Sequence, residues 1–507
     1  MGGPCVLAVD QSTQSTKAFV FDAQGRTVAK ASKPHRQIYP QAGYVEHDPE
    51  EIFANFLETC TLALDQAHME ARVEAPQAFP PDPICLSMTN QRETVVAWDI
   101  ETGEPLHNAL VWQDTRGTPI CRELESSGAG ALVRERTGLL LDPYFSASKL
   151  AWLVRNSPRV AHALSSGRLA AGTVDSWIIW RLTGGKSFVT DYSNASRTML
   201  FDLRRLEWDE ELLEIFGLSG LHLPRVLSSD ADFGTARILG AGKDLPIRGV
   251  MGDSHAALFG HRGWRQGDAK ATFGTGSSLM SNIGPAPLEP PEGIVLSLAW
   301  GLKGAPSYVF EGNIHSTGYT LAWLKDKLGI FGSEEEAERL ASELPDSGGV
   351  YIVPAFSGLG APYWEQNIRA CITGLSHGSD KRHLARAGIE SIAYQIMDLV
   401  RALDAGSKSP LAFLHVDGGP TRNALLMQFL ADMLGIPVIA PSRDELSAMG
   451  SALMGGLASG LWAGLPALEA LPADATTYLP SMERSARDRL AEGWRSAVAQ
   501  AISRKVQ

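Results

Sequence analysis

Five cysteines in 507 residues is very little thiol for a chain of this length. Cys5, Cys60, Cys85, Cys121 and Cys371 are scattered, and no Cys-x-x-Cys pair occurs. That excludes a disulfide framework and a cysteine-built zinc site, and it points to reduced thiols in a cytoplasm. A surplus of cations is missing too. Lys and Arg number 45 against 57 Asp and Glu, a net charge of −12. A chain without a basic footprint is not expected to bind nucleic acid, although backbone N–H groups can still bind an anion locally. No apolar run reaches the roughly 20 residues of a membrane span, so no membrane insertion is expected. Met1–Asp10 has no basic segment ahead of its apolar stretch and does not read as a signal peptide. A His-Glu-x-x-His zinc signature is absent. Gly185-Lys186-Ser187 has the ending of a Walker A loop, but Trp180 stands where its first glycine is required.

The composition is that of a folded protein, 44% hydrophobic and 20% charged, and the length suits two large domains. Cys5–Asp10, a polar turn and Lys17–Asp22 read as a β-hairpin. Asp48 and Pro49 open a helix, with Phe53, Leu57, Cys60 and Leu64 as its expected apolar face. Glu74–Pro83 reads as a loop. A second hairpin is expected over Asp268–Ile283, around Gly274-Thr275-Gly276. The two hairpins suggest an internal duplication. Leu414–Val416 reads as a buried strand, followed by a helix from about Arg422 to Leu434. Strands and helices mix throughout, so the fold class is α/β. The boundary is expected near residue 260, giving an N-terminal domain over 1–260 and a C-terminal domain over 261–507.

Three turns have the make-up of phosphate cradles. Asp10-Gln11-Ser12-Thr13-Gln14-Ser15 is rich in hydroxyls that can donate to phosphate oxygens, and Asp10 could hold a magnesium ion through water. Gly274-Thr275-Gly276 permits close backbone approach. Asp417-Gly418-Gly419 precedes a helix. Each, alone, is as readily an ordinary turn; their order along the chain gives them weight. Asp253, after the mostly apolar run Ile247–Met251, is placed either as a general base or as a helix cap. Arg92-Glu93 can hold hydroxyls by charge-assisted bonds, or form a plain surface ion pair. Trp112 and Tyr144 can wall a sugar-type pocket, or sit in the core. Gly252-Asp253-Ser254-His255-Ala256 is also close to a hydrolase nucleophile elbow. A serine hydrolase using Ser254, with His315, His377, His383 or His415, is therefore the rival.

Longer stretches then make the chain recognisable. They are Ile38-Tyr39-Pro40 with Val45-Glu46-His47-Asp48-Pro49, Thr89–Thr94, Asp142–Ser146, Tyr144–Leu153, Asp191–Phe201 and Gly358–Trp364. From Val6 to about Trp462 the chain resembles the FGGY carbohydrate kinases, most closely those that act on glycerol. The resemblance implies two related actin- and hexokinase-like (ribonuclease H-like) domains flanking a cleft. It implies ATP and Mg²⁺, a small polyol or sugar substrate, and direct phosphoryl transfer, with glycerol to glycerol 3-phosphate as the expected reaction. A homodimer or homotetramer is common in such a family. Carried over by position, Asp253 is the base, and Arg92, Glu93, Trp112, Tyr144, Asp253 and Ser254 line the polyol site. Thr13, Gln14, Ser15, Lys17, Thr275, Gly318, Gly419, Pro420 and Ala424 meet ATP, and Asp10 organises the metal.

Two departures bear on the substrate. Glycerol-specific members usually carry Gln where Ser254 stands and an aromatic residue where Ser278 stands. Both changes shrink the pocket wall, and each buried CH₂ is worth about 0.8 kcal/mol. A kinase for a four- or five-carbon polyol or ketose, of the erythritol, xylulose or ribulose type, is the alternative. Gly240–Pro246 lacks the arginine through which bacterial relatives bind a sugar-bisphosphate inhibitor, so that regulation is not expected.

Overall fold

The computed structural model describes residues 3–74, 82–238, 241–407, 410–443 and 445–504. Two large mixed sheets organise it. The first runs Thr235–Arg237, Asp244–Gly252, Asp82–Asn90, Pro4–Gln11, Ser15–Asp22, Thr27–Pro34. The second runs Val295–Leu302, Ala305–Ile314, Ser277–Gly284, Ala269–Phe273, Leu414–Gly418, Val438–Pro441, Ala475–Tyr478. In each, an antiparallel three-stranded meander continues into two parallel strands and ends on an antiparallel edge. The second sheet adds Val295–Leu302 outside its meander. The suspected duplication is thus visible as repeated topology, although the sequences of the halves share little.

In both halves a 26-residue helix leads into the first parallel strand, Pro49–Glu74 before Asp82–Asn90 and Lys381–Gly406 before Leu414–Gly418. The Asp48 carboxylate accepts from Glu50 N at 2.9 Å, so the expected cap is present. Of the expected apolar face, Cys60 and Leu64 lie in the core and Leu57 packs at its edge, but Phe53 does not join it. Ile52, Phe56, Cys60, Ala63 and Ala67 are fully buried, whereas Phe53 and Leu57 lie on the flank. Phe53 is about 100° around the helix from Ile52, and its ring carries the Arg181 guanidinium at 4.4 Å. Glu74 ends this helix and Asp82–Pro83 begin a strand; of the expected loop, 75–81 lie outside the described residues. Likewise Asp244–Pro246 are strand, and Gly240 lies outside the described residues.

A smaller sheet, Glu46–His47, Ala109–Leu110, Val95–Asp99, Leu169–Thr173, lies within the N-terminal half and carries further helices. One apolar core fills each large sheet, and another joins the halves. The joining core mixes Val6, Ala8, Phe19 and Phe21 with Met280, Trp300, Ala448 and Leu453. Helix Leu446–Ala458 lies against helix Asp253–Gly260 with almost no side chain between them. A Cβ on Gly450 would stand 1.7 Å from the Ala256 carbonyl oxygen, and one on Gly260 would stand 2.4 Å from that of Leu446. All five cysteines are free thiols. Among the described residues no helix is long and apolar enough to cross a membrane.

Candidate active site

Strand register brings the N-terminal candidates to one place. Asp10 pairs with Thr89, Thr89 with Met251, and Asn90 with Gly252, all in parallel strands. Asp10, the Gln91–Glu93 segment and Asp253 therefore leave the same sheet edge together, at the carboxyl ends where α/β sheets bind ligands. Asp253 is the first residue of helix Asp253–Gly260, and Gly252 holds the cap position. Its Oδ1 accepts from Ser254 N at 2.7 Å and lies 3.3 Å from Arg92 Nε. The carboxylate thus faces a cation and is not the helix cap. The segment behind it is braced by the Asp191–Arg197 motif. Asp191 accepts from the N–H groups of Ser193 and Asn194, Gly252 N donates to Ser193 Oγ at 2.8 Å, and Asn90 and Asn194 exchange amide hydrogen bonds.

Arg92 and Glu93 form no surface pair. Both are buried, and their closest approach is 3.9 Å. Arg92 Nη1 and Nη2 donate to Glu311 Oε2 and Oε1, 2.9 Å each. Arg197 Nε donates to Glu93 Oε1 at 2.6 Å, and Arg197 Nη1 lies 2.9 Å from Glu311 Oε2. Burial pushes the Glu311 carboxyl up, but the Arg197 and Arg92 charges outweigh it and hold it below the usual carboxylate range. Burial raises Glu93 despite the same two arginines. His255 is held well below its ordinary value by burial and by Arg92, so it stays neutral. Breaking one member of such a buried network costs about 3–5 kcal/mol. Sequence reasoning quoted Arg197 only within a motif and missed Glu311. The signal was present: a lone carboxylate follows Tyr308-Val309-Phe310 in an apolar strand, and such a charge needs a cation.

Trp112 and Tyr144 meet edge to face, ring centroids 5.5 Å apart, beside this network. Trp112 Nε1 donates to Thr13 Oγ1 at 2.9 Å, tying the aromatic wall to the first hairpin turn. Gln37 Nε2 donates to the Thr13 carbonyl at 2.8 Å, and His35 Nε2 lies 2.7 Å from it. The buried Lys149 ammonium donates to the Pro143 and Tyr144 carbonyls and so fixes the Tyr144 loop. In the hairpin Asp10 pairs with Lys17, and Ser12 N donates to Ser15 O at 3.0 Å; Gln14 is exposed at the tip. Asp10 Oδ1 is buried without a hydrogen-bond partner. Burial raises its carboxyl to about 7, Lys17 opposing and Asp253 adding.

The C-terminal candidates converge as well. Phe273 pairs with Gly418 in parallel register. Gly418 has φ 97°, and a Cβ there would stand 1.9 Å from the Phe273 carbonyl oxygen. Gly318 N donates to Gly274 O at 3.0 Å, and a Cβ on Gly318 would lie 3.9 Å from the Pro420 ring. Thr275, Gly318, Gly419 and Pro420 thus line one rim. Gly419 and Pro420 open a 3₁₀ turn, and Ala424 starts helix Ala424–Leu434, capped by Asn423. That helix begins two residues later than the expected start near Arg422. Asp417 accepts from His261 Nε2 at 2.7 Å; burial pushes its carboxyl up, but that bond and the Lys270 charge hold it below the usual range. Ser278 lies opposite Thr272 and Asn313.

A serine hydrolase is not what is assembled. Among the described residues no histidine nitrogen is in hydrogen-bond reach of the Ser254 hydroxyl. His315 lies against Trp364, His383 pairs with Asp380, and His415 stacks near His261.

Comparison with known proteins identifies the family. The family model for the N-terminal domain of the FGGY family of carbohydrate kinases matches residues 5–260, and that for the C-terminal domain matches 269–459. The chain is 46% identical to glycerol kinase 1 of Thermotoga maritima, covering 97% of this chain and 98% of that protein. It is 44% identical to glycerol kinase of Symbiobacterium thermophilum, covering 98% of each. Its structure matches the crystal structure of Plasmodium falciparum glycerol kinase with ADP at TM-score 0.91 and 32% identity, over 100% and 99% of the two chains. A ligand-bound xylulose kinase from Lactobacillus acidophilus shares the fold at TM-score 0.86 and 22% identity, over 99% of each. With both family models matched in order, and relatives near half identity along almost the full length, this chain belongs to the FGGY family of carbohydrate kinases.

Proposed function

We propose that the protein transfers the γ-phosphoryl group of ATP to glycerol, giving glycerol 3-phosphate and ADP. The observation that carries this reading is Arg92 Nε. It is buried, has no hydrogen-bond partner, and lies 3.3 Å from Asp253 beside the Trp112–Tyr144 wall. A desolvated N–H left unpaired is costly, and a polyol hydroxyl supplies its acceptor. Glu93 and Tyr144 hold further hydroxyls, Trp112 packs against the carbons, and Ser254 flanks them. Asp253 orients the attacking hydroxyl and takes its proton as the oxygen bonds to phosphorus and ADP leaves. Thr13, Gln14, Ser15 and Lys17 meet the phosphates, while Thr275, Gly318, Gly419, Pro420 and Ala424 line the rest of the nucleotide.

The partnerless Asp10 oxygen fits a divalent cation. Among the described residues no three His, Cys, Asp or Glu side chains gather into a metal cage. That suits magnesium, which keeps waters and phosphate oxygens as ligands and neutralises charge on the transferred group.

The test is ADP release from Mg-ATP with glycerol, erythritol, threitol, ribitol, xylitol, xylulose and ribulose. The highest kcat/KM is expected for glycerol. A longer acceptor winning clearly would show that Ser254 and Ser278 have reshaped the pocket, and would sink the glycerol reading.

A further inference from the structure

We propose that Glu311 is a positioning residue that sets the polyol-binding groups from the opposite half of the molecule and couples polyol binding to nucleotide binding. The proposal rests on the polyol reading of the site given above. Five charged groups are joined in this network of ion pairs, and four of them come from the N-terminal half: Arg92, Glu93, Arg197 and Asp253. The fifth, Glu311, lies in the middle of strand Ala305–Ile314 of the second sheet, opposite Met280 on one side and Val295 on the other.

Glu311 takes both terminal nitrogens of Arg92 at 2.9 Å. A guanidinium is planar, so once its fork is engaged the direction of Nε–H is fixed. That remaining N–H is the one facing Asp253. The same carboxylate lies against Arg197, whose Nε holds Glu93. Both groups read as polyol ligands are thus referenced to one carboxylate. Glu311 and Arg197 have fully buried side chains, so neither touches substrate.

The strand carrying Glu311 runs on through Ile314 into the turn at Ser316–Gly318, where Thr317 N and Gly318 N donate to Thr275 O and Gly274 O. Six residues separate Glu311 from Gly318 at the nucleotide rim. A strand hydrogen-bonded on both sides transmits displacement along its length, so a shift of that rim moves Glu311 and with it the Arg92 fork. Linkage then requires each ligand to alter the other's affinity by one common factor.

Calorimetry reads this directly. The Kd of glycerol is measured with and without saturating ADP, for wild type and Glu311→Gln. Tighter glycerol binding with ADP is expected in wild type, by roughly 5-fold or more. In Glu311→Gln that factor should fall to about one, and KM for glycerol should rise roughly tenfold while KM for ATP moves little. A purely structural role would weaken both ligands together and leave the factor intact. Arg197→Lys should raise the glycerol KM and retain the coupling. If Glu311→Gln fails to fold, Glu311→Asp decides, since it keeps the charge but cannot span the fork; partial loss of coupling is expected. A wild-type factor of one, or an unchanged factor in the folded variant, overturns the proposal. A wild type that turns over another polyol but not glycerol would sink the substrate reading instead, and the coupling is then read with that polyol.

Discussion

The two sheets share one strand order but end their central strands in opposite chemistry. In the N-terminal half the strand ends lead into charged side chains: Asp10, Arg92 just beyond Asn90, and Asp253 just beyond Gly252. In the C-terminal half the equivalent ends run into glycine, at Gly274 and at Gly418-Gly419, and Gly318 opens a helix against Gly274. A phosphate-rich nucleotide can be held by N–H groups, for which side chains are obstacles. A polyol hydroxyl must be oriented and deprotonated, which main chain cannot do. The scaffold is thus neutral as to task, and the residues at the strand ends divide the labour.

This division can be broken from either side. The largest effect belongs to Asp253→Asn. Turnover should fall roughly a thousandfold, the scale of a lost general base, while calorimetry still shows glycerol binding. Equal loss of binding would make Asp253 a ligand rather than a base. Next comes Gly418→Ala on the main-chain side. A methyl group 1.9 Å from the Phe273 carbonyl oxygen, on backbone at φ 97°, should cost about 1–3 kcal/mol of stability and raise the ATP KM well above any change for glycerol. Thermal melts and paired KM measurements check both parts.

Trp112→Phe sharpens the comparison on one hydrogen bond. It keeps the aromatic wall and removes the donor to Thr13, worth about 1 kcal/mol. Both KM values should rise, by roughly fivefold at most, because that bond joins wall and phosphate turn. A separate case concerns Asp10, on the pH axis. Its folded carboxyl is raised to about 7, above its unfolded value near 3.9. In metal-free protein this group therefore lowers stability as pH rises from about 4 to 7, and the penalty persists above 7. Asp10→Asn in chelator should melt higher than wild type at pH 8 and equally at pH 4, while losing activity. A lower melt at pH 8 would mean Asp10 is already satisfied without a cation.

Much of this was legible in the chain. Hairpins, strand ends and the glycine turns announce themselves locally, through alternation and turn residues. The family resemblance then supplied the roles of Asp253, Arg92 and Glu93 that local chemistry left open. What stayed hidden was long-range. The Arg92–Glu311 pairing spans 219 positions, and no local rule marks it. The helix Pro49–Glu74 buries Cys60 and Leu64 as expected, with Leu57 at the edge of the core, but Phe53 serves an arginine instead of the core. The Asp191–Arg197 motif braces the strand ends at Asn90 and Gly252 and supplies Arg197 to the buried ion pairs.

The glycine contact between helices Asp253–Gly260 and Leu446–Ala458 has a mechanical consequence. Sliding between packed elements depends on side chains that can change rotamer, and at Gly450 and Gly260 main chain rests on main chain with none to change. Shear there is blocked, and rotation is what remains. The contact is then a fulcrum, with Asp10, Arg92 and Asp253 on one lever arm and the turns at Gly274 and Gly418 on the other. It places the pivot at Ala256 and Gly260, in the middle and at the carboxyl end of the helix that begins with Asp253, so that carboxylate lies one short helix away from the axis about which the halves can turn.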